Sequence, residues 1–415
     1  MLIKPSETTE CFDILFLGTD LNTCIKCAQE SSSNKVIQLE RNKGYGSIHS
    51  NEPLLNDKRI KILHESGDIN RIPYYPAHIP SKGRLVDLLI ESGVAEYVEF
   101  KKQESLQIFS ENRLVNVPVS KEDVFLMSET SLLQKRQVMK VINLARMFDE
   151  LKNGQEVEGF TLQDLKNTSF RKFLDNKLPA VFVDMVLFSL ALFSKYEEAE
   201  SMDAEKGFEI LAKRVEGFGV FGKYSLLYPI YGLSEIAQGF CRKSALNGAV
   251  QLLNVSKISV EKFEDMYKVN IESGSIDEPS YFYTREIKGN SFELCEIFGL
   301  QLDSSKLWNG AFIKINLKIK EQFKQITFPP NDERGFCIQV YQVGDETFEC
   351  EKDQSILFFQ SFQSDCNNWI KIVGEVLEKL GIADDCIISK RIFEFHSLKL
   401  KDELLENSSI RSLGN

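Results

Sequence analysis

The chain has 415 residues, of which 43% are hydrophobic and 27% are charged, a composition typical of a globular protein with a sizeable core rather than a disordered or fibrous one. Fifty basic residues against 61 acidic residues give a net charge of −11. This charge argues against a nucleic-acid-binding protein, because such a protein needs a basic surface.

The cysteine pattern and the segments at the two ends of the chain indicate the cellular compartment. The nine cysteines are scattered and odd in number, which favours a reducing environment over a disulfide framework. The N-terminal segment lacks the apolar core of a signal peptide, and no run reaches the roughly 18 apolar residues of a membrane span. The C-terminal SIRSLGN is not a prenylation box. We therefore expect a cytoplasmic protein without a lipid anchor.

The first elements along the chain have the pattern of a βαβ unit. A short apolar run at 12–17 predicts a buried strand, residues 22–30 predict a helix, and residues 36–39 predict a second strand. This order is typical of the start of a dinucleotide-binding fold. The next predicted elements are a helix at 85–91 and strands at 97–100 and 106–109.

The turn after the first strand lacks the glycines of a dinucleotide site. In the motif G-x-G-x-x-G, the second glycine lets the backbone approach the pyrophosphate and the third lets the helix pack closely. Only the first glycine is present, as Gly18, and Asp20 and Thr23 stand at the other two positions. Asp20 would bring a negative charge to an anion site. Glu40, placed like a ribose-binding acid, is weak support alone, so we expect no flavin and no other cofactor.

Catalytic motifs are also missing from the sequence. No G-x-S-x-G elbow and no phosphate-binding loop occurs, and the four histidines do not have the spacing of a metal site. We therefore assign no catalytic residue and no metal ligand, and a flavin-dependent oxidoreductase is only a remote alternative.

A change of hydrophobic period after Pro118 predicts a helical block. In 131–150 the apolar residues fall on one face of a helix, and 204–217 predicts another helix. Residues 179–193 are almost continuously apolar, which is typical of a buried helix. The block 119–222 is therefore predicted to be an all-helical insertion.

Strand patterns return after this block. The predicted strands are 249–253, 266–271, 312–319, 336–343, 347–351 and 356–362, followed by a helix at 369–380. Gly344 and Asp345 are interpreted as a hairpin turn. We predict an α/β protein in which a flavoprotein-like dinucleotide-fold sheet domain, residues 1–118 and 223–415, is interrupted by a helical domain, residues 119–222.

Three segments resemble the superfamily of Rab GDP-dissociation inhibitors and Rab escort proteins. They are ERNKGYGS at 40–47, VPVSKEDVF at 117–125 with QKR at 134–136, and LYPIYGLSEIAQGFCR at 227–242. The resemblance covers most of residues 12–400, and the third segment is the most specific. It implies a flavoprotein-like fold without a flavin, in which the sheet domain binds a Rab GTPase and the helical domain holds the prenyl group.

The resemblance assigns a Rab-binding platform to Tyr45, Glu235 and Arg242. Tyrosine offers a large rigid contact, and arginine and glutamate form charge-assisted bonds across interfaces. The alternative is that Glu235 and Arg242, seven apart on one helix face, pair with neighbours in their own chain. The sequence departs from the family pattern by having Ser47, Ser234 and Ala237 near these residues, which affects the expected loop geometry more than the side chains.

Two residues favour the escort branch. Escort proteins carry a phenylalanine and, eleven residues on, an arginine that dock onto Rab geranylgeranyltransferase, and Phe125 and Arg136 have this spacing. The alternative is that Phe125 lies in the core and Arg136 caps a helix. The length favours the inhibitor branch, because escort proteins are usually longer.

The resemblance thus implies a non-catalytic accessory protein of the prenyltransferase. It would bind a GDP-loaded Rab, present it for geranylgeranylation, shelter the geranylgeranyl lipid, and contact membranes transiently on delivery. Residues 180–193 are candidate walls for the lipid or, alternatively, ordinary core. The alternative is a Rab GDP-dissociation inhibitor, which extracts and recycles prenylated Rabs.

Overall fold

The computed structural model describes residues 10–49, 57–68, 75–127, 131–273, 280–299, 302–362, 368–400 and 410–413. Its helices are α1 (Leu21–Glu30), α2 (Arg84–Ser92), α3 (Lys121–Leu126), α4 (Leu132–Arg146), α5 (Phe148–Lys152), α6 (Leu162–Lys166), α7 (Phe170–Asp175), α8 (Ala180–Asp184), α9 (Tyr196–Glu200), α10 (Ala204–Val215), α11 (Leu233–Leu246), α12 (Ser291–Phe298) and α13 (Trp369–Lys379). Its strands are β1 (Cys11–Leu17), β2 (Val36–Leu39), β3 (Ile60–Gly67), β4 (Ile79–Pro80), β5 (Phe100–Lys102), β6 (Ser105–Ser110), β7 (Arg113–Asn116), β8 (Leu226–Pro229), β9 (Val250–Leu252), β10 (Val255–Phe263), β11 (Met266–Ser273), β12 (Ser280–Gly289), β13 (Leu302–Ile315), β14 (Phe323–Phe328), β15 (Ile338–Gly344), β16 (Ser355–Ser361), β17 (Ile387–Leu400) and β18 (Ile410–Ser412).

The first sheet has the order β10-β11-β12-β1-β2-β9, with β18 beside β12. Strands β12, β1, β2 and β9 run parallel, and α1 crosses between β1 and β2. This is the dinucleotide-fold arrangement that the sequence predicts, and the predicted α/β fold class is confirmed. The carboxyl end of β1 at Leu17 leads directly into the Gly18 turn.

A second sheet of eight strands has the order β3-β17-β13-β16-β15-β14-β6-β7, and a small third sheet joins β4, β8 and β5. Helix α13 covers one face of the second sheet through buried Trp369, Val373 and Val376. Strand β8 connects this region to α11, because Pro229 is followed within four residues by the start of that helix at Leu233.

Helices α3 to α10 fill the segment from Lys121 to Val215. Their core is rich in phenylalanine, with Phe170, Phe188 and Phe208 fully buried. The cluster also contacts the second sheet, since the Gln339 side-chain amide of β15 donates a hydrogen bond to the Phe188 carbonyl at 2.6 Å.

The structure corrects several sequence-based element predictions. The buried helix predicted within residues 179–193 is present from Ala180 to Leu190, but its second half, Met185–Leu190, is π-helical and it ends before Phe193. The strand predicted at 347–351 is wrong, since Asp345–Thr347 forms a 3-10 turn and Phe348 has left-handed backbone geometry. Strands β15 and β16 do pair antiparallel, but residues 345–354 connect them, so the two-residue hairpin turn is also wrong.

Other predicted elements are shifted or divided. The strand predicted at 97–100 starts only at Phe100, after a 3-10 turn at Val94–Glu96. The helix predicted at 131–150 is interrupted at Met147, between α4 and α5. In the described part of the chain, no helix is long and apolar enough to cross a membrane.

Candidate functional site

The Gly18 turn is filled by side chains of the chain itself. Asp20 is buried and caps α1, because its carboxylate accepts hydrogen bonds from the Thr23 amide at 3.2 Å and the Thr23 hydroxyl at 2.7 Å. The Asn290 side-chain amide donates a third hydrogen bond to Asp20 at 2.8 Å. The residues at the second and third glycine positions of a dinucleotide motif therefore stabilise the helix start.

Glu40 is engaged in the same internal network. One oxygen of its carboxylate accepts hydrogen bonds from the Thr19 amide at 2.8 Å, the Thr19 hydroxyl at 2.5 Å and the Ser47 hydroxyl at 2.7 Å. The other oxygen accepts from the amide and the side chain of Asn42, both at 2.9 Å. A ribose hydroxyl would have to displace these donors.

The carboxylates of this turn do not fit a flavin dinucleotide. Asp20, Glu40 and Glu293 are all buried there, and Glu293 lies so close to Gly18 that a β-carbon added to the glycine would meet its side chain at 3.3 Å. Burial raises the pKa of Glu293 to about 8, and the Glu40 carboxylate adds to this shift. Placing a pyrophosphate beside these acids would add negative charge where it is already disfavoured.

Helix α11 carries two of the predicted platform residues. Gly232 precedes it with φ +84°, a conformation that suits glycine, and the buried side chains Leu233, Ile236 and Phe240 hold the helix on the core. Glu235 and Arg242 are seven residues apart, which is about two turns, so they share one helix face.

Glu235 and Arg242 do not pair with each other. Among the described residues, no hydrogen bond or ion pair engages the half-buried Glu235 carboxylate, and burial raises its pKa. Arg242 is exposed, and its guanidinium carbon lies 4.3 Å from the centre of the Tyr97 ring. Sequence reasoning missed Tyr97, because its contact with Arg242 arises only through the fold.

Tyr45 is tied to the same helix through one glutamine. The Tyr45 hydroxyl donates a hydrogen bond to the Gln251 side-chain oxygen at 3.2 Å. The Gln251 amide donates in turn to the Cys241 carbonyl at 2.8 Å and the Ser244 hydroxyl at 2.9 Å, both on α11. The loop after β2 and the helix that carries Arg242 are thus neighbours.

Phe125 lies at the surface in α3. Its side chain is 67% exposed, and Arg136 is exposed in the second turn of α4. Helices α3 and α4 are connected by the Lys135 ammonium, which donates a hydrogen bond to the Phe125 carbonyl at 2.8 Å. Leu126, Leu132 and Leu133 are also exposed, so an apolar patch surrounds Phe125. Neither alternative interpretation fits, since Phe125 is outside the core and Arg136 lies within α4 rather than at either of its ends.

Capping interactions hold this patch in place. Ser120 and Asp123 form a reciprocal capping box at the start of α3, and Ser131 and Gln134 form another at the start of α4. The Asp123 carboxylate also pairs with Lys223, which lies beyond the helical segment. Such caps stabilise short helices that would otherwise be marginal.

A cavity of about 500 Å³ lies behind the patch, between the β6–β7 hairpin, α3 and α8. Leu126 and Met127, which follow Phe125, line this cavity together with Phe182 and Met185. Phe182 and Met185 also border a narrow apolar slot of about 10 Å³ in the helical cluster. Predicted residues 180–193 therefore contribute both to core packing and to the wall of this cavity.

Comparison with known proteins identifies the family. A family model described as GDP dissociation inhibitor matches residues 8–285. The chain belongs to the GDP dissociation inhibitor family.

Individual relatives within this group carry two kinds of name. The human protein named Rab proteins geranylgeranyltransferase component A 2 is 26% identical over 334 residues, covering 79% of this chain and 49% of that protein. Rab GDP dissociation inhibitor beta of Rattus norvegicus is 29% identical over 256 residues, covering 59% of this chain and 56% of that protein. The chain thus spans about half the length of these curated relatives.

Solved structures show the same fold. The crystal structure of a Rab GDI from Plasmodium falciparum matches with a TM-score of 0.73 and 20% identity, covering 98% of this chain and 93% of that one. An oxidoreductase from Methanosarcina mazei matches with a TM-score of 0.53 and 12% identity, covering 94% of this chain and 88% of that one. The dinucleotide-type fold is therefore shared with an oxidoreductase, although the Gly18 turn differs from a dinucleotide site.

Proposed function

We propose that this chain is a Rab escort protein, a non-catalytic accessory component of Rab geranylgeranyltransferase. It binds GDP-loaded Rab GTPases, presents them for prenylation and delivers the products to membranes. The observation that carries the escort assignment is the exposure of Phe125, beside the exposed cation of Arg136. An aromatic side chain and an arginine are residue types that dominate binding energy at protein interfaces.

Three features support the GTPase-binding part of the proposal. Glu235 has no partner among the described residues, Arg242 is held in an exposed position by Tyr97, and Tyr45 connects to the same helix through Gln251. We assign these side chains to one platform for the GTPase. An unpaired carboxylate and an oriented guanidinium on one helix face can each form charge-assisted hydrogen bonds with a partner.

We assign the shelter for the geranylgeranyl group to the cavity behind the Phe125 patch. Phe182 and Met185 line both this cavity and the narrow apolar slot, so a shift of these two side chains would extend the cavity into the helical cluster. Each buried methylene contributes about 0.8 kcal/mol. Half of a geranylgeranyl chain would therefore gain several kcal/mol by leaving water.

The second candidate is a Rab GDP-dissociation inhibitor. It is favoured by the similarity of the sequence to Rab GDP dissociation inhibitor beta of Rattus norvegicus, at 29% identity over 256 residues. An inhibitor uses the same platform and lipid shelter but makes no contact with the prenyltransferase.

In-vitro geranylgeranylation of GDP-loaded Rab GTPases, with this protein as the only accessory factor, tests the proposal. An escort supports transfer of the prenyl group, and omission of the protein abolishes it. A protein that fails this assay but extracts prenylated Rab from membranes is an inhibitor. Failure in both assays, with the platform variants Glu235→Arg and Arg242→Ala behaving as wild type in GTPase binding, would contradict both candidates.

A further inference from the structure

An exposed aromatic pair lies beside the first turn of α11. The rings of Tyr231 and Phe348 stack with their centres 5.1 Å apart and their planes 17° apart. Tyr231 is 52% exposed and Phe348 is 62% exposed. Because Tyr231 stands two residues before α11 begins at Leu233, the pair adjoins the helix that carries Glu235.

Both members of the pair have strained backbones. Tyr231 has φ +68° and Phe348 has φ +58°, in the left-handed region that bulky side chains rarely adopt. Residues in such conformations persist only where the surrounding structure holds them, and they cluster at binding sites. Two exposed aromatic side chains contribute little to the packing of the core, yet their backbone conformations cost free energy. A role in binding therefore explains these residues better than core packing does.

The loop beneath Phe348 is built to present this ring. Thr347 and Glu349, on either side of it, are buried. The Thr347 carbonyl accepts a hydrogen bond from the Tyr231 amide at 2.8 Å, and the Glu349 carboxylate accepts one from the Tyr228 hydroxyl. The segment is therefore anchored on both sides of Phe348, and little side-chain or loop entropy would be lost on binding.

The surroundings of the pair are acidic. Within residues 345–354, Glu349 is buried and the other charged side chains are Asp345, Glu346, Glu351, Lys352 and Asp353, while Glu235 lies one turn into the adjoining helix. Lys101 neutralises Glu346 at 2.5 Å, and Lys318 neutralises Asp353 at 2.9 Å. The complementary partner surface is an apolar pocket bordered by lysine or arginine side chains.

We propose that Tyr231 and Phe348 are an aromatic anchor that extends the GTPase-binding platform, and that they insert into an apolar pocket with a basic border on the Rab GTPase. This inference rests on the proposed function, because the GTPase is the occupant of the platform. Rigid, exposed aromatic side chains next to charged residues have the composition of an interface hot spot.

Phe348→Gly tests this role against a structural one. Glycine adopts the left-handed conformation without strain, so the thermal midpoint should be no lower than that of the wild type. Affinity for a panel of purified GDP-loaded Rab GTPases, measured by titration calorimetry, should fall about tenfold or more. A residue that only stabilises the loop would not lose affinity while retaining its thermal midpoint.

The matched control is Glu264→Gly, which relieves the same kind of strain, at φ +54°, in the exposed turn between β10 and β11. Its affinity for the GTPases should equal that of the wild type. Phe348→Asn is a second variant, because asparagine tolerates the left-handed region, and it should lose affinity like the glycine variant.

The outcomes separate this inference from the proposed function. If the wild-type protein binds the GTPases and both Phe348 variants bind equally well, the anchor is wrong while the platform of Glu235 and Arg242 stands. If the wild-type protein binds none of the GTPases, the proposed function and the anchor are both wrong. If both variants lower the thermal midpoint and binding follows only the folded fraction, Phe348 is a structural residue and the anchor is wrong.

Discussion

The guanidinium of Arg242 rests on the ring of Tyr97, with 4.3 Å between the guanidinium carbon and the ring centre. Tyr97 follows the 3-10 turn Val94–Glu96, so a distant segment orients the exposed cation of α11. Cation–π contacts at exposed sites contribute about 0.5–1 kcal/mol. The proposed platform would therefore depend on Tyr97, a residue outside α11.

We expect Tyr97→Ala to weaken GTPase binding about two- to fivefold, because Arg242 then loses its fixed orientation. Tyr97→Phe retains the ring face and should bind as the wild type does. In an Arg242→Ala background, Tyr97→Ala should have no further effect, since the two residues act as one unit. Calorimetric titration of the four variants measures this coupling, and additive losses would contradict it.

Replacing Glu40 tests whether the Gly18 turn has become a structural network. The Glu40 carboxylate accepts hydrogen bonds from Thr19, Asn42 and Ser47. In Glu40→Gln, the side-chain NH2 group would replace one carboxylate oxygen and would face groups that also donate hydrogen bonds. We expect a loss of about 2 kcal/mol or more in the free energy of unfolding, measured in urea. The control is Glu261→Gln on exposed β10, which should lie within about 0.5 kcal/mol of the wild type.

Two kinds of buried group give stability opposite dependences on pH. Glu293 has a pKa raised to about 8, mainly by burial, against a reference value of 4.5, so the folded protein holds a proton that the unfolded chain releases. Stability from this site is present at low pH and is lost as pH rises toward 8. Burial lowers the pKa of His49 to about 4 and that of His78 to about 3, against a reference value of 6.5. Both histidines therefore increase the free energy of unfolding as pH rises toward 6.5, and they add nothing further above that pH.

Between about pH 6.5 and 8 we therefore expect the free energy of unfolding to fall, by at most about 1.4 kcal/mol per pH unit. Glu293→Gln should remove this fall and stabilise the protein at pH 8. Glu296→Gln is the control, because Glu296 lies on the same helix but is exposed and pairs with Lys58. An unchanged slope in Glu293→Gln would mean that this carboxyl does not titrate in the window.

The sequence predicted the strands whose own residues are mostly apolar. It missed strands that form only by pairing with a segment far away in the sequence. Residues 12–17 and 36–39 are mostly apolar, with one polar residue in each, and both belong to strands of the first sheet that are largely buried. Strands β3 and β17 pair over residues 60–67 and 389–395. Polar and charged residues interrupt the apolar residues of both strands, so the sequence predicted neither, and only their pairing reveals them.

In the candidate site, too, the sequence predicted some features and missed others. Helical spacing places Glu235 and Arg242 two turns apart on α11, as the sequence indicated. The segment 347–351 alternates buried Thr347, exposed Phe348 and buried Glu349, which imitates the period of a strand. The left-handed backbone at Phe348 breaks the strand, and no residue type in the segment signals that conformation.

Phe125→Ala is expected to abolish prenyltransferase binding while leaving GTPase binding intact. Phe125 is 67% exposed, so truncating it creates no cavity and the thermal midpoint should not change. Loss of an aromatic anchor from an interface costs about 2–4 kcal/mol, or about 30- to 1000-fold in affinity. Phe125 lies on α3 and the platform on α11, so the two effects should be independent.

The readout is Rab geranylgeranylation with each variant as the only accessory factor, beside a direct titration with the GTPase. Tyr281→Ala is the matched control, because Tyr281 is a comparably exposed aromatic residue on β12 of the first sheet, away from α3. It should support prenylation as the wild type does. If Phe125→Ala also supports prenylation at the wild-type rate, the docking role is wrong. If Phe125→Ala loses GTPase binding as well, while its thermal midpoint is unchanged, the GTPase also contacts the surface around Phe125. Helices α3 and α11 would then belong to one binding surface.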